Sequence, residues 1–142
     1  MSAVTDITLV RDAIHNPAEP RHFMRLARPG YRVTATIGGI EIANSTHAIK
    51  LKEVGRDIYD PVIYFPRGDV DMGRLVTIDK STYCPLKGHT EYFDAHLDAL
   101  RFSEVAWSYT RVLPFARDIE NYIAFDAGQA QIIEHSAAAQ TG

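Results

Sequence analysis

The sequence has little cysteine: Cys84 is the only one among 142 residues. A single cysteine excludes a disulfide within the chain and leaves no second thiol for the cysteine pairs of a structural zinc site. We therefore expect no bound metal and no cofactor. The absence of disulfides is also typical of a reducing compartment, and we expect a cytoplasmic protein.

The sequence also lacks an apolar run long enough for a signal peptide or a membrane span, which predicts no membrane partner. Its net charge is −3, and its lysines and arginines are scattered along the chain. Nucleic-acid binders usually present a basic stripe, so this charge pattern predicts no nucleic-acid partner.

The remaining composition predicts one mainly β domain. With 46% hydrophobic residues, a chain of this length should bury roughly 68–70% of its unfolded surface in one core. Apolar and polar residues alternate over residues 31–37, Gly38-Gly39 follows as a tight turn, and residues 40–43 and 48–53 continue the pattern. The pattern predicts a three-stranded meander.

Further short strands are expected along the rest of the chain. Residues 62–65 lie between two prolines and predict an edge strand, and residues 122–125 and 131–133 predict a closing pair. One or two short helices are expected, with a helical segment at 114–120 and one or two helical turns over 21–28. The predicted organisation is an N-terminal extension (1–30), a domain (31–135) and a flexible tail (136–142).

The segment Tyr83–Gly88 combines the cysteine with a proline, a lysine and a glycine. Pro85 favours the start of a turn, and Gly88 can adopt the positive φ needed to leave it. We therefore expect one tight loop that brings the Cys84 thiol close to the Lys87 amine.

Several motifs together resemble a known bacterial family. They are Tyr64-Phe65-Pro66, Cys84-Pro85-Leu86-Lys87-Gly88, Tyr92-Phe93, Ala106-Trp107-Ser108-Tyr109 and Tyr122-Ile123-Ala124-Phe125. In this order they resemble the family catalogued as domain of unknown function 427, over residues 31–133.

The resemblance implies a compact β-tent, a sandwich-like arrangement of two antiparallel sheets joined along one ridge. Similar domains often bind zinc at that ridge through cysteine pairs, which this chain lacks. The family has also been filed under a nucleotidyltransferase label. The chain has no glycine-rich phosphate loop to support that activity.

Three residues of the loop region are candidates for catalysis. Cys84 is either a nucleophile or redox thiol whose thiolate Lys87 favours, or a small buried hydrophobe. Lys87 either binds an anionic group or pairs with Glu91 across the turn. His89 is either an acid or base near neutral pH, or ordinary polar surface.

Four aromatic residues flank this loop in the sequence. If Tyr64, Tyr92, Trp107 and Tyr109 converge on it, they form with Cys84 and Lys87 the walls of a small-ligand pocket; otherwise they are core. Three functions therefore stay open. We expect first a domain that binds a small ligand, anionic groups included, and the alternatives are an enzyme that uses Cys84 and a homo-oligomeric interaction module.

Overall fold

The fold was examined in a computed structural model that describes residues 13–136. The mainly β prediction is confirmed, since this range contains twelve strands and three short 3-10 segments. The strands are β1 (Ile14–Asn16), β2 (Glu19–Ala27), β3 (Arg32–Ile37), β4 (Ile40–Ser45), β5 (Ile49–Val54), β6 (Val62–Tyr64), β7 (Leu75–Ile78), β8 (Tyr83–Cys84), β9 (Gly88–Leu97), β10 (Leu100–Val112), β11 (Ala124–Phe125) and β12 (Ala130–His135). The 3-10 segments are Arg67–Asp69, Met72–Arg74 and Pro114–Ile119.

The strands form three antiparallel sheets, where the resemblance implied two. The sheet orders are β1-β2-β5-β6, β11-β10-β9-β7 with β8 also paired to β9, and β12-β3-β4. The first two sheets are joined at one point, where the backbones of Phe65 and Ile123 exchange two hydrogen bonds of 2.8 Å. This junction holds the end of β6 beside the start of β11.

The first predicted hairpin is confirmed, but the meander is wrong. Val33, Ala35 and Ile37 of β3 are fully buried, and Gly38 and Gly39 have φ of +57° and +82° in the turn to β4. The next strand, β5, leaves this sheet and pairs with β2 and β6. Alternation of polar and apolar residues predicts that a segment is a strand, but it does not determine which strand it pairs with. The third strand of this sheet is β12, which pairs with β3 on the side away from β4.

The predicted helical turns at 21–28 are also wrong, because these residues lie in or beside β2, which pairs with β5. His22, Met24 and Leu26 recur at the period of a strand, and Met24 and Leu26 pack in the core. The domain boundary after residue 30 stays a prediction, although β2 is part of a sheet of the domain. Residues 1–12 and 137–142 lie outside the described range.

The last two strands do not pair with each other as expected. β11 pairs with β10, whereas β12 crosses to β3. The backbone N–H of Asp126 donates to the carbonyl of Val105 at 2.8 Å, so the chain remains hydrogen-bonded to β10 up to the turn that precedes β12. The edge position of β6 and the short helical segment at 114–119 agree with the prediction.

Two apolar clusters fill the space between the sheets. The larger one includes Phe65 and Phe125, whose rings meet edge to face at 5.7 Å between centroids. The smaller one lies under the Tyr83–Gly88 loop and consists of Met24, Ile49, Leu51, Tyr64, Leu86, Tyr109, Ala116, Ile119 and Ala124. Within residues 13–136, no helix has the length and apolar character needed to cross a bilayer.

Candidate functional site

The Tyr83–Gly88 segment forms the tight turn that its sequence predicts. β8 leads into it and β9 leaves it, with Cys84 paired to Gly88 across the hairpin. The N–H of Lys87 donates to the carbonyl of Cys84 at 3.2 Å. Leu86, at the tip, is fully buried in the smaller cluster and anchors the turn to the core.

Gly88 lets this turn pack directly against β10. Its φ is +118°, and the space where a side chain would begin is filled by the backbone of Arg111 and Val112. The N–H of Leu113 also donates to the carbonyl of Lys87 at 3.0 Å. The loop is thereby fixed on its outer side by backbone contacts.

The Lys87 side chain turns inward and pairs with Glu53 of β5, not with Glu91 as one alternative proposed. Only 9% of the Lys87 side chain and 11% of the Glu53 side chain are exposed. Lys87 Nζ donates to Glu53 Oε1 and lies 5.3 Å from the centroid of the Tyr109 ring. The cation therefore meets a carboxylate and an aromatic face in a largely buried setting.

Glu53 has a second partner in His22 of β2. His22 Nε2 and Glu53 Oε2 are 2.6 Å apart, so each carboxylate oxygen has its own hydrogen bond. Cys84 completes the group: its sulfur, a ring nitrogen of His22 and a carboxylate oxygen of Glu53 all lie within 4.8 Å of one another. Three strands thus bring a thiol, an imidazole and a carboxylate together.

A cleft of about 580 Å³ lies over this group. All six residues predicted to bind a ligand line it, namely Tyr64, Cys84, Lys87, Tyr92, Trp107 and Tyr109. Tyr64 and Tyr109 serve the core as well, since they are buried and their ring centroids are 6.4 Å apart. The two alternatives for the aromatic residues, pocket wall and core, therefore both apply.

His89, the third catalytic candidate, stands beside the cleft and not among its lining residues. Its ring centroid is 4.7 Å from that of Tyr83, which does line the cleft. On the rim, Lys80 pairs with Glu104 and its Nζ lies 4.6 Å from the centroid of the Tyr92 ring. An ammonium group of the chain itself thus lies against one face of the Tyr92 ring.

The sequence did not predict the histidine and the three carboxylates of the lining, which are His22, Glu53, Glu104 and Asp126. A signal for Glu53 was present, because it continues the inward period of Ile49 and Leu51 along β5. His22 likewise shares its strand face with Met24. A polar residue at an inward position predicts a buried partner, and here each is the partner of the other.

The environment fixes the protonation states at the base of the cleft. Burial acts to raise the pKa of Glu53, but the charge of Lys87 and hydrogen bonds from Lys87 and His22 lower it below its usual value. Burial acts to lower the pKa of Lys87, but Tyr64 and Glu53 raise it overall. At neutral pH the pair is therefore ionised, and Lys87 is a fixed cation.

These shifts predict how stability depends on pH. The lowered pKa of Glu53 gives a stabilisation that is present above its unfolded value of 4.5 and is lost as the pH falls through the folded value. We expect the difference in unfolding free energy between wild type and Glu53→Gln to shrink steadily below pH 4.5. Urea unfolding between pH 7 and about 2.5 measures it. A difference that stays constant over this range would contradict the ionised pair.

One known protein family matches most of the chain. The profile of the family described as "Domain of unknown function (DUF427)" matches residues 25–136, in agreement with the resemblance seen in the motifs. The matched range includes every residue named at the cleft except His22. Among curated proteins, none matches the chain.

Proposed function

Because the chain belongs to the DUF427 family, whose description names no activity, its function must be inferred from the cleft, and we propose that it binds a small molecule there. One observation carries the proposal. Six residues chosen as a ligand site from sequence alone line the same cleft, although they come from four different strands and one turn. Aromatic walls with a few polar groups at the base are the usual construction of small-ligand sites.

The charges of the cleft favour a ligand without negative charge. Its lining includes three carboxylates, from Glu53, Glu104 and Asp126, and one ammonium group, from Lys87. Glu53 pairs with Lys87 and Glu104 pairs with Lys80 on the rim, so the charge that remains in the lining is the carboxylate of Asp126. The Lys87 ammonium is already paired, so it offers no free charge to an anion. We therefore propose a neutral or cationic ligand with an apolar ring, in place of the anionic ligand that Lys87 alone suggested.

Binding can be followed through Trp107, because it is the only tryptophan of the chain and lines the cleft. Its indole N–H gives one resonance in a ¹⁵N–¹H spectrum, which Trp107→Phe identifies. We expect titration with benzyl alcohol and benzylamine to shift this resonance and benzoate to leave it in place. These probes share one ring and differ in charge.

A pair of half-buried tyrosines provides the control. Tyr92→Leu should weaken binding of benzylamine roughly 2- to 10-fold, because it removes one aromatic wall. Tyr122→Leu removes a similar side chain outside the cleft and should leave binding unchanged. If none of the probes shifts the resonance, the proposed site is wrong. If benzoate binds best, the proposal of a neutral or cationic ligand is wrong and the expectation of an anionic ligand is correct.

The other expectations remain proposals. A cytoplasmic location rests on the cysteine content, and a homo-oligomer is an alternative that sedimentation of the full chain tests. For the enzyme alternative, Lys87 is excluded as a proton acceptor at neutral pH because its pKa is raised.

A further inference from the structure

We propose that His22, Glu53 and Cys84 bind a transition-metal ion of the zinc type at the base of the cleft. The sequence predicted no metal, because only cysteine pairs were considered there. The proposal is independent of ligand binding: the cleft can accept an aromatic molecule whether or not a metal occupies its base.

The geometry carries the inference. A ring nitrogen, a carboxylate oxygen and the Cys84 sulfur lie within 4.8 Å of one another and come from β2, β5 and β8. All three residues line the cleft, and none is completely buried: 20% of the His22 side chain and 11% of the Glu53 side chain are exposed, and Cys84 is partly exposed. The donors are therefore close enough for one ion to reach them with small side-chain movements, and the ion can enter from the cleft.

The donor types select the ion. Thiolate, imidazole and carboxylate are the three ligands that zinc takes in proteins, and hard ions such as Mg²⁺ and Ca²⁺ avoid thiolates. Three protein ligands with solvent access leave a fourth position for water, as in catalytic zinc sites. Within residues 13–136, no other group of three such side chains is close enough to hold an ion.

The hydrogen bonds of the metal-free site fit this role. The 2.6 Å contact between His22 Nε2 and Glu53 Oε2 holds a proton between two groups that both carry lone pairs for a cation. On metal binding this contact opens: the imidazole proton of His22 moves through solvent to Nδ1, which frees Nε2 for the ion, and the Cys84 thiol loses its proton to solvent. A metal ion then replaces the proton as the bridge between the two side chains.

Lys87 acts in two opposing ways. Its bond to Glu53 Oε1 holds the carboxylate in place and leaves Oε2 for the ion, as a second-shell partner does. Its positive charge repels a cation, and against this Glu53 and the Cys84 thiolate provide two negative charges. This balance predicts a site that favours a thiolate-seeking ion and discriminates against Mg²⁺.

Cobalt(II) tests the proposal because its complexes absorb visible light, whereas those of zinc do not. The full chain is freed of metal with a chelator and titrated with CoCl₂. We expect one equivalent to produce a thiolate-to-cobalt charge-transfer band in the near ultraviolet, together with the intense visible bands of a four-coordinate site. Zinc chloride should then remove both, and magnesium chloride should not.

Variants distinguish binding at this three-residue site from non-specific binding of cobalt to the Cys84 thiol alone. Cys84→Ser should abolish the charge-transfer band, and His22→Gln should weaken cobalt binding by more than roughly 100-fold, since even second-shell partners contribute 10–100-fold. His89→Gln is the matched control, a half-buried histidine beside the cleft but outside the cluster, and should bind as wild type. Thermal unfolding establishes that each metal-free variant is folded.

Three outcomes would overturn the proposal. They are the absence of a charge-transfer band at one equivalent, a band that survives Cys84→Ser, and equal cobalt affinity in His22→Gln and wild type. Titrating the metal-free protein with benzylamine tests the proposed ligand site separately, so a failure of one proposal is not mistaken for a failure of the other.

Discussion

Replacing Glu53 with alanine should lower the free energy of unfolding by about 3–5 kcal/mol, the usual cost of removing one partner of a buried ion pair. The substitution leaves the Lys87 ammonium in a site where only 9% of its side chain is exposed. It also removes the hydrogen-bond partner of His22. Urea unfolding monitored by circular dichroism measures the change.

Two further variants identify the cause. Lys80→Ala breaks the exposed pair with Glu104 and should leave stability almost unchanged, because solvent screens such pairs. Replacing Glu53 and Lys87 together with leucine should recover most of the loss, since no buried charge is then left alone. A loss below about 1 kcal/mol for Glu53→Ala would mean that water reaches the pair.

Gly88→Ala should be about as damaging, with an expected loss of roughly 2–6 kcal/mol. Part of the loss is backbone strain, because a φ of +118° is unfavourable for any residue with a side chain. The rest is a collision: the new Cβ would overlap the carbonyl oxygen of Arg111 and lie 2.9 Å from Val112 Cα. Both atoms belong to the backbone of β10, which cannot move without disturbing the sheet.

Gly68→Ala is the control for this effect. Gly68 lies in a 3-10 segment, has no positive φ and has open space around its Cα, so alanine should be tolerated. Because the loop carries Cys84 and Lys87, Gly88→Ala should also impair cobalt binding in whatever fraction stays folded. Wild-type stability in Gly88→Ala would show that the loop is not packed on β10 as described.

Local pattern predicted strands well and their partners poorly. The alternation of Val33, Ala35 and Ile37 and the two glycines that follow dictate a hairpin, because both signals act between neighbours in sequence. The pairing of β5 with β2 joins residues that are 23 to 31 positions apart, and no local signal reports it. The helical turns expected at 21–28 were wrong because a short run of apolar residues is compatible with both the helical period of 3.6 and the strand period of two.

In the cleft, too, features with a local sequence signal could be predicted and features that depend on distant pairing could not. Its aromatic wall and its loop could be predicted because proline, glycine, cysteine and tryptophan each carry a distinct local signal. Its polar base could not, because the pairing of Glu53 with Lys87 requires knowing that β5 runs beneath the loop. The correct partner of Lys87 is 34 residues away, whereas the partner proposed from sequence was four residues away.

These separations also bear on how the domain folds. The contacts of Glu53 close chain segments of 31 residues to His22 and 34 residues to Lys87, so neither contact can form until strands that are distant in sequence have met. Such non-local pairing slows folding, and we expect Glu53 to have a low φ-value for folding. A molecule that binds the folded cleft should raise the free energy of unfolding and slow hydrogen exchange at those amides that exchange only through global unfolding.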